Sequence, residues 1–283
     1  MAARLRSVNP ATGEELAALA EHTPGELEAA LAAADAAQRE WAATSFAERR
    51  RCLEAAARLL REGRDDYARL ATLEMGKPVA EAAAEVDKCA WNCEFYAAQA
   101  ERFLADEPVQ TDALSSYVAY QPLGVVLAIM PWNFPYWQVL RFAAPALMAG
   151  NGALLKHSPN VPRCALATEE LFARAGCPDG LFRTLLVGDA SVSDATGRLL
   201  DDPRVAAVTL TGSERGRRRR RRHRRAGPEE VRPGAGRLRP VRGPGKRSGH
   251  GRELAAVGIR EFTNIRTFWV QPADTPPPAT LSE

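Results

Sequence analysis

The sequence predicts an α/β fold in which helices cover both faces of a parallel sheet, and two patterns in the middle of the chain carry this prediction. Short apolar runs without polar alternation indicate strands that are buried on both faces. They occupy residues 125–130, 153–156, 185–187 and 205–210. Between them, apolar residues recur at helical spacing over 137–148, 164–175 and 192–200. Strands that alternate with helices in this way form parallel sheets through right-handed crossovers.

The first third of the chain is predicted to form an N-terminal helical layer. Residues 9–14 have turn composition and lie between two short extended pieces. Capping boxes at 23–26 and 45–48 each begin a helix with a regular apolar face. Two more helices follow, separated by the helix-breaking sequence Gly76-Lys77-Pro78, and the second is expected to reach about Phe103.

The charge of the chain is unevenly distributed. Residues 214–247 hold 15 Lys/Arg and 3 Asp/Glu, whereas the other residues hold 23 Lys/Arg and 32 Asp/Glu. A mildly acidic body therefore carries one strongly basic segment, which includes the unbroken arginine run from Arg217 to Arg222. Residues 214–245 have no apolar face that could offset the entropy of ordering, so we expect this segment to be disordered.

The cysteine count and the absence of long apolar runs suggest a compartment. Five cysteines are an odd number, which favours reduced thiols over a disulfide framework. The sequence opens without a signal-like segment, and no apolar run reaches the ~18 residues of a membrane span. We therefore expect a cytoplasmic protein without membrane contact. Cys89 and Cys93 have no histidine or second cysteine pair nearby, so no metal site is expected.

Four candidate ligand-binding residues follow the ends of the predicted strands. They are Asn133, Lys156, Gly188 and Gly212. Because parallel strands present their carboxyl ends at one edge of the sheet, and ligands of open α/β sheets bind there, we expect these residues to face one ligand.

The motifs around these residues resemble those of a known family. Residues 7–213 resemble the N-terminal, coenzyme-binding part of the NAD(P)-dependent aldehyde dehydrogenases. The resemblance rests on the sequences 132–139, 154–160 and 209–213, and the first two are most similar to succinate-semialdehyde dehydrogenases. Residues from 246 to about 270 resemble the family's C-terminal tail.

The resemblance implies a domain organisation. Residues 1–213 would form a Rossmann-like coenzyme-binding part that contains a remnant oligomerisation hairpin at about 114–126. Residues 246–272 would be a tail with an oligomerisation strand, and 273–283 a frayed end. We expect residues 262–270 to pair with residues 117–126. Because the helix that should cover strand 205–210 is replaced by the arginine-rich segment, we also expect an exposed sheet edge there.

The resemblance also implies roles for individual residues. Asn133 would be a catalytic residue that donates its side-chain amide in the oxyanion hole, and Lys156 would reach the adenosine ribose. Pro159 stands where many NAD-preferring relatives have a glutamate, so either NADP or NAD is expected as cofactor. Gly212 and Ser213 would meet the pyrophosphate at a helix N-terminus. The full set of implied cofactor contacts is Trp132, Asn133, Lys156, His157, Ser158, Pro159, Gly188, Gly212 and Ser213.

Plainer structural roles stay open for several of these residues. Asn133 is also a suitable turn residue before Phe134-Pro135, and an isolated tryptophan such as Trp132 is more often part of a core. Lys156 without its motif would be an ordinary loop lysine.

The family reaction needs two groups that the sequence does not supply. A cysteine thiolate attacks the aldehyde and a glutamate activates water, and relatives carry them in Gly-Gln-x-Cys and Glu-Leu-Gly-Gly contexts. Neither context occurs in this sequence, and the last cysteine, Cys177, has the setting of a structural thiol. We therefore expect the catalytic domain to be missing and the chain to be inactive.

Three interpretations of residues 214–245 stay open: a nonspecific nucleic-acid-binding arm, a linker without function, and translation in a shifted reading frame. Moving the frame of residues 227–244 one base forward, with permitted codons, yields a segment that contains Glu-Leu-Gly-Gly. We favour frame-shifted translation from about Gly216 to Pro244, with the original frame resuming near Lys246 after a deletion.

Three functional hypotheses follow from these observations. The first is oxidation of succinate semialdehyde or a similar small aldehyde to a carboxylic acid with NAD(P), in a homo-oligomer as in the family. The second is an inactive fragment that binds cofactor or a partner. The third is a nucleic-acid binder without sequence preference.

Overall fold

A computed structural model of the chain describes residues 4–212 and 254–270. The elements before the central sheet are β1 Arg4–Val8, β2 Glu15–Ala20, α1 Pro24–Ala42, α2 Phe46–Glu62, α3 Arg64–Met75, α4 Val79–Phe103, β3 Glu107–Pro108 and β4 Ser115–Pro122. They are followed by β5 Val125–Ile129, α5 Trp137–Met148, β6 Gly152–Lys156, α6 Pro162–Arg174, β7 Phe182–Thr184, α7 Val192–Asp201, β8 Val205–Leu210, α8 Ala255–Arg260 and β9 Thr263–Val270. Among these helices none has the length and apolar character needed to cross a bilayer.

The central sheet is parallel, as predicted, with strand order β7-β6-β5-β8. One predicted strand is displaced: β7 occupies 182–184 instead of 185–187. Leu185 still donates its N–H to Leu155 O at 2.8 Å, and Leu185 and Val187 are buried against helices. The apolar run 185–187 therefore continues the β6 pairing only at Leu185 and otherwise reflects burial beneath helices.

The two faces of the sheet are covered by different helices. Val125, Leu127 and Leu154 belong to one core cluster with residues of α1 and α7. Ala128 and Leu155 belong to a second cluster with residues of α5 and α6. Helices α2, α3 and α4 then pack on the outer side of α5 and α6. The predicted N-terminal helical layer is thus divided, because α1 covers the sheet itself.

The first two helices begin as the sequence predicts. Thr23 and Ser45 each accept a hydrogen bond from the backbone N–H of the glutamate three residues later, and that glutamate bonds back to the cap. Helix α6 has no side-chain cap of its own. The buried carboxylate of Glu74, on α3, instead accepts hydrogen bonds from Arg163 N at 3.1 Å and Cys164 N at 2.8 Å. A carboxylate is favourable there because it satisfies free N–H groups and complements the helix dipole.

Helix α5 is held at its carboxyl end by side chains of α1 and α2. Trp41 Nε1 donates to Leu147 O at 2.8 Å, and Arg49 Nη1 donates to Met148 O at 3.1 Å. Gln38 Nε2 donates to the carbonyl of Gly150 at 3.1 Å. Since α5 is buried along almost its whole length, water does not reach these carbonyls and side chains take its place.

A second, antiparallel sheet has the order β3-β4-β9. Its register pairs Ser115 with Val270 and Pro122 with Thr263, which confirms the expected pairing of residues 262–270 with the 117–126 region. The hairpin boundaries differ from those expected at 114–126. Strand β4 pairs with β3 on its other side, whereas β5 enters the parallel sheet.

The segment 254–270 docks onto the first part of the chain through a buried asparagine. Asn151 Oδ1 accepts from Leu123 N at 2.7 Å and from Gly124 N at 3.0 Å. Its Nδ2 donates to Ala146 O at 3.0 Å and to Phe262 O at 2.9 Å. One side chain therefore joins the β4–β5 turn, the end of α5 and the start of β9.

Strand β8 forms an edge of the described sheet, and most of its residues are only half-buried. This agrees with the expected exposure at 205–210. Ser213, the segment 214–245 expected to be disordered, the start of the tail at 246–253 and the residues beyond Val270 all lie outside the described residues.

We expect the Asn151→Ala variant to lower the free energy of unfolding by about 2–4 kcal/mol, because the part-buried N–H groups of Leu123 and Gly124 and the Phe262 carbonyl lose their side-chain partner. Urea denaturation of the full chain measures this difference. The control is Asn160→Ala, at an exposed position. Equal stabilities for the two variants would show that Asn151 does not anchor the C-terminal segment.

Candidate functional site

The carboxyl ends of three adjacent strands meet at one edge of the parallel sheet. Ile129 is in register with Lys156 on one side and Leu210 on the other. The pairing extends one residue further, because Met130 N donates to Lys156 O and Thr211 N donates to Ile129 O, each at 3.1 Å. The loops that follow β5, β6 and β8 therefore leave the sheet side by side, and Asn133, Lys156 and Gly212 lie on them or at their start.

The loop after β5, residues 130–136, presents three side chains to solvent. Trp132 and Phe134 are 49% and 44% exposed, and Asn133 between them is also exposed. Pro135 and Tyr136 are buried and return the chain to α5. The side-chain amide of Asn133 is thus accessible at the sheet edge where the loops after β5, β6 and β8 meet. An amide can donate to a developing oxyanion without changing its protonation state.

Lys156 ends β6 with its side chain mostly buried. It is 6% exposed. Burial lowers the pKa of its ammonium, while the carboxylates of Asp189 and Glu21 act in the opposite direction. An ammonium partly stripped of water is a strong donor to a hydroxyl or a phosphate oxygen.

The His157 ring is buried inside the protein and does not face the carboxyl edge of the sheet. Its Nδ1 accepts the N–H of Ser158 at 2.8 Å, so the proton is on Nε2, which donates to the carbonyl of Pro135 at 2.9 Å. Burial lowers the pKa of His157 to about 4, so the ring is neutral at physiological pH. Both ring nitrogens are occupied, and the ring ties the loop after β6 to the loop after β5, so the expected cofactor contact of His157 would not involve a hydrogen bond from its ring.

The next two predicted residues lie at the surface of the loop after β6. Ser158 and Pro159 are partly exposed, and Ser158 Oγ donates to Asn160 Oδ1 at 2.6 Å. The ring of Pro159 contributes no carboxylate at this point of the loop.

The two predicted glycines differ in their surroundings. Gly188 is buried against Glu21, and a Cβ at this position would lie 2.1 Å from Glu21 Oε1. Glu21 also accepts a hydrogen bond from Ser191 Oγ, so its carboxylate is fixed beside the loop after β7. Gly212 is exposed, and a Cβ there would meet nothing within 4 Å. Ser213 follows it outside the described residues.

Sequence reasoning missed a buried ion pair next to the site. Glu85 on α4 accepts hydrogen bonds from Tyr136 N and Trp137 N, both at 2.8 Å, and forms an ion pair with Lys77. The available signal was the position of Glu85 on the buried face of α4, three residues after Ala82 and four before Cys89. A glutamate on such a face needs a partner in the core.

All five cysteines are buried. Burial raises the pKa of the Cys89 and Cys164 thiols, and that of Cys93 to about 12. A hydrogen bond with Cys52 raises the pKa of Cys177, while the same contact lowers that of Cys52. Within 4–212 and 254–270, no group of three or more His, Cys, Asp or Glu side chains converges on a metal-sized site.

The comparison with known families decides the identity of this architecture. The sequence model of the aldehyde dehydrogenase family matches residues 2–223. The chain belongs to the aldehyde dehydrogenase family.

Relatives within this family carry a specific name. The chain is 52% identical over 213 residues to the NADP(+) succinate-semialdehyde dehydrogenase 1 of Mycobacterium bovis, covering 74% of this chain and 46% of the relative. It is 49% identical over 214 residues to the NADP(+) succinate-semialdehyde dehydrogenase of Mycobacterium avium, covering 74% and 44%. The chain therefore spans about half the length of the curated relatives it matches.

Solved structures of aldehyde dehydrogenases share the fold described above. The crystal structure of the Streptococcus pyogenes succinic semialdehyde dehydrogenase with NADP+ superposes with a TM-score of 0.73 at 37% identity, over 77% of this chain and 48% of that one. The Burkholderia pseudomallei succinate-semialdehyde dehydrogenase gives 0.73 at 32% identity, over 79% and 46%.

We expect His157 to make the stability of the fold depend on pH. Its pKa is about 4 in the folded chain and near 6.5 when unfolded, so the unfolded chain binds a proton first as pH falls. The neutral ring of His157 contributes about 3 kcal/mol to the free energy of unfolding. This contribution is fully present above pH 6.5 and is lost between pH 6.5 and pH 4. His157→Gln keeps a donor for Pro135 O but does not titrate.

Urea denaturation of both chains at pH 7 and pH 4 measures this effect. The wild-type chain should lose about 3 kcal/mol more than His157→Gln on acidification. The same loss in both chains would show that His157 titrates normally and is not held neutral.

Proposed function

We propose that this chain is the coenzyme-binding part of an NADP-dependent aldehyde dehydrogenase of the succinate-semialdehyde type, and that it binds NADP at the carboxyl edge of the parallel sheet. The observation that carries the proposal is the register of Ile129 with Lys156, which sets the loop of Asn133 beside the end of β6 that carries Lys156. The names of the relatives and the NADP+ of the Streptococcus pyogenes structure support it.

The charges at this edge favour NADP over NAD. Lys156 supplies a positive charge at the end of β6, and Pro159 leaves the following loop without a carboxylate that would repel a 2′-phosphate. The carboxylates of Glu21 and Asp189 offset part of the lysine charge, which limits this preference. Trp132 would lie along the nicotinamide end, and Gly212 and Ser213 would approach the pyrophosphate.

In the family reaction the bound nicotinamide accepts a hydride from the carbon of the substrate. The residues of this chain would bind the adenosine end through Lys156 and stabilise the oxyanion through the Asn133 amide. The nucleophilic thiolate and the glutamate that activates water must come from elsewhere, because the five thiols of the sequence are buried. We propose that this chain alone does not oxidise aldehydes.

The position at which the family match ends supports the same proposal. The family match ends at residue 223, directly after the arginine run and a few residues beyond Gly216, near which frame-shifted translation is proposed to have begun. The β3-β4-β9 sheet leaves one strand edge of β9 unpaired among the described strands, and homo-oligomer formation through it is part of the proposal.

We expect Lys156→Ala to weaken NADP binding about tenfold or more, because one charge-assisted hydrogen bond is lost. NAD binding should weaken less, since NAD lacks the additional phosphate charge. Isothermal titration of the full chain with each cofactor measures both constants, and Lys88→Ala, an exposed lysine on α4, is the control. Equal losses for the two cofactors would place Lys156 away from the ribose.

We expect purified chain to show no aldehyde-dependent reduction of NADP above a buffer blank, with succinate semialdehyde as the substrate. The reason is the absence of an accessible thiolate at the sheet edge. Absorbance at the wavelength of the reduced nicotinamide follows the reaction. Turnover that disappears in Cys164→Ser or Cys177→Ser would contradict this prediction and identify a nucleophile.

A further inference from the structure

The helix-breaking sequence Gly76-Lys77-Pro78 directs a lysine into the protein. Gly76 ends α3 with φ of 77°, a left-handed conformation that favours glycine, and a Cβ there would lie 3.0 Å from the ring of Pro10. Pro78 begins α4 at its N-cap. Lys77 between them is only 6% exposed. Two residues with restricted backbones therefore fix the direction of this side chain.

The Lys77 ammonium has two partners, and both lead to the loop 130–136. It forms an ion pair with Glu85, whose side chain is 2% exposed. It also lies 3.8 Å from the centre of the Phe134 ring, an arrangement in which a cation is attracted to the face of the ring.

Glu85 uses its two oxygens for different tasks. Oε2 binds Lys77, while Oε1 accepts the N–H groups of Tyr136 and Trp137 at the start of α5. Helix α5 has no side-chain cap of its own, so Glu85 is the group that satisfies these donors. The pair therefore fixes the loop at Phe134 and at its junction with α5.

We propose that Lys77 and Glu85 are positioning residues that set how the loop 130–136 presents Trp132 and Asn133 to the cofactor edge. This inference rests on the proposed function, since the ligand is the proposed NADP. Asn133 itself is exposed and lies directly before the ring that Lys77 holds. Because binding groups must be placed to within a fraction of an ångström, a freed loop binds ligand more weakly although its residues are unchanged.

The test compares Lys77→Met with the wild-type chain in two measurements. Methionine keeps most of the side-chain volume but leaves Glu85 as an unpaired buried charge. Hydrogen exchange of the Tyr136 and Trp137 amides should accelerate about tenfold, and the dissociation constant for NADP should rise about fivefold or more.

Two controls separate a local effect from general destabilisation. Lys88→Met changes a lysine that also lies over an aromatic ring, 4.0 Å from the centre of Trp137, but is exposed on α4, the helix of Glu85. In Lys88→Met, neither the exchange of the Tyr136 and Trp137 amides nor the dissociation constant for NADP should change. The amides of Arg163 and Cys164, which Glu74 caps, should exchange in Lys77→Met as they do in the wild-type chain.

The double variant Lys77→Met/Glu85→Gln decides the matter if Lys77→Met does not fold. The glutamine oxygen still accepts the two N–H groups and no charge is left unpaired, so protection of the Tyr136 and Trp137 amides should return. NADP binding should stay weak because Phe134 is no longer held. Wild-type NADP affinity in this double variant, or unchanged exchange and affinity in a folded Lys77→Met, would overturn the proposal. A wild-type chain that does not bind NADP would refute the proposed function, while the exchange comparison would still test the positioning of the loop.

Discussion

Helix α5 is the element on which the site depends, and buried charges hold it at both ends. The peptide groups at helix ends lack partners within the helix, and α5 lies where water does not reach them. Glu85 supplies an anion at its amino end, and Arg49 supplies a cation near its carboxyl end. Each charge has the sign that the helix dipole favours. Both come from the N-terminal helices, Glu85 from α4 and Arg49 from α2.

The two charges are balanced in different ways. Glu85 has the ammonium of Lys77 as its counter-ion. Arg49 makes its described hydrogen bonds to neutral oxygens: the carbonyls of Ala42, Thr44 and Met148 and the hydroxyl of Thr44. Burial lowers the pKa of Arg49, but a guanidinium remains charged far above physiological pH. Loss of either charged group would leave buried peptide groups without partners, which is costly in the core.

The carboxyl end of α5 also organises the C-terminal segment. Asn151 follows that end and bonds both to the turn before β5 and to Phe262. Arg260 adds a hydrogen bond from its Nε to Phe103 O at 3.0 Å, at the end of α4. These two contacts attach the segment 254–270 to the ends of α5 and α4. The segment therefore packs on the aldehyde dehydrogenase part of the chain, although the family match ends at residue 223.

The sequence by itself determined the elements whose signals are local. The apolar runs and capping boxes gave the strands, the helices and their order, and the loops after β5, β6 and β8 meet at one edge as the motifs predicted. Only the tertiary structure decided the features that depend on distant partners. His157 turns inward because its two ring nitrogens bond to the Pro135 carbonyl and the Ser158 amide. Strand β7 lies three residues before its predicted position, because apolar residues buried beneath helices resemble a strand in sequence. Glu85 acquires its role from the peptide groups of α5, and Lys77 from Glu85. No local sequence pattern reveals these roles, because a hydrogen bond joins residues by position in space and not by position in the chain.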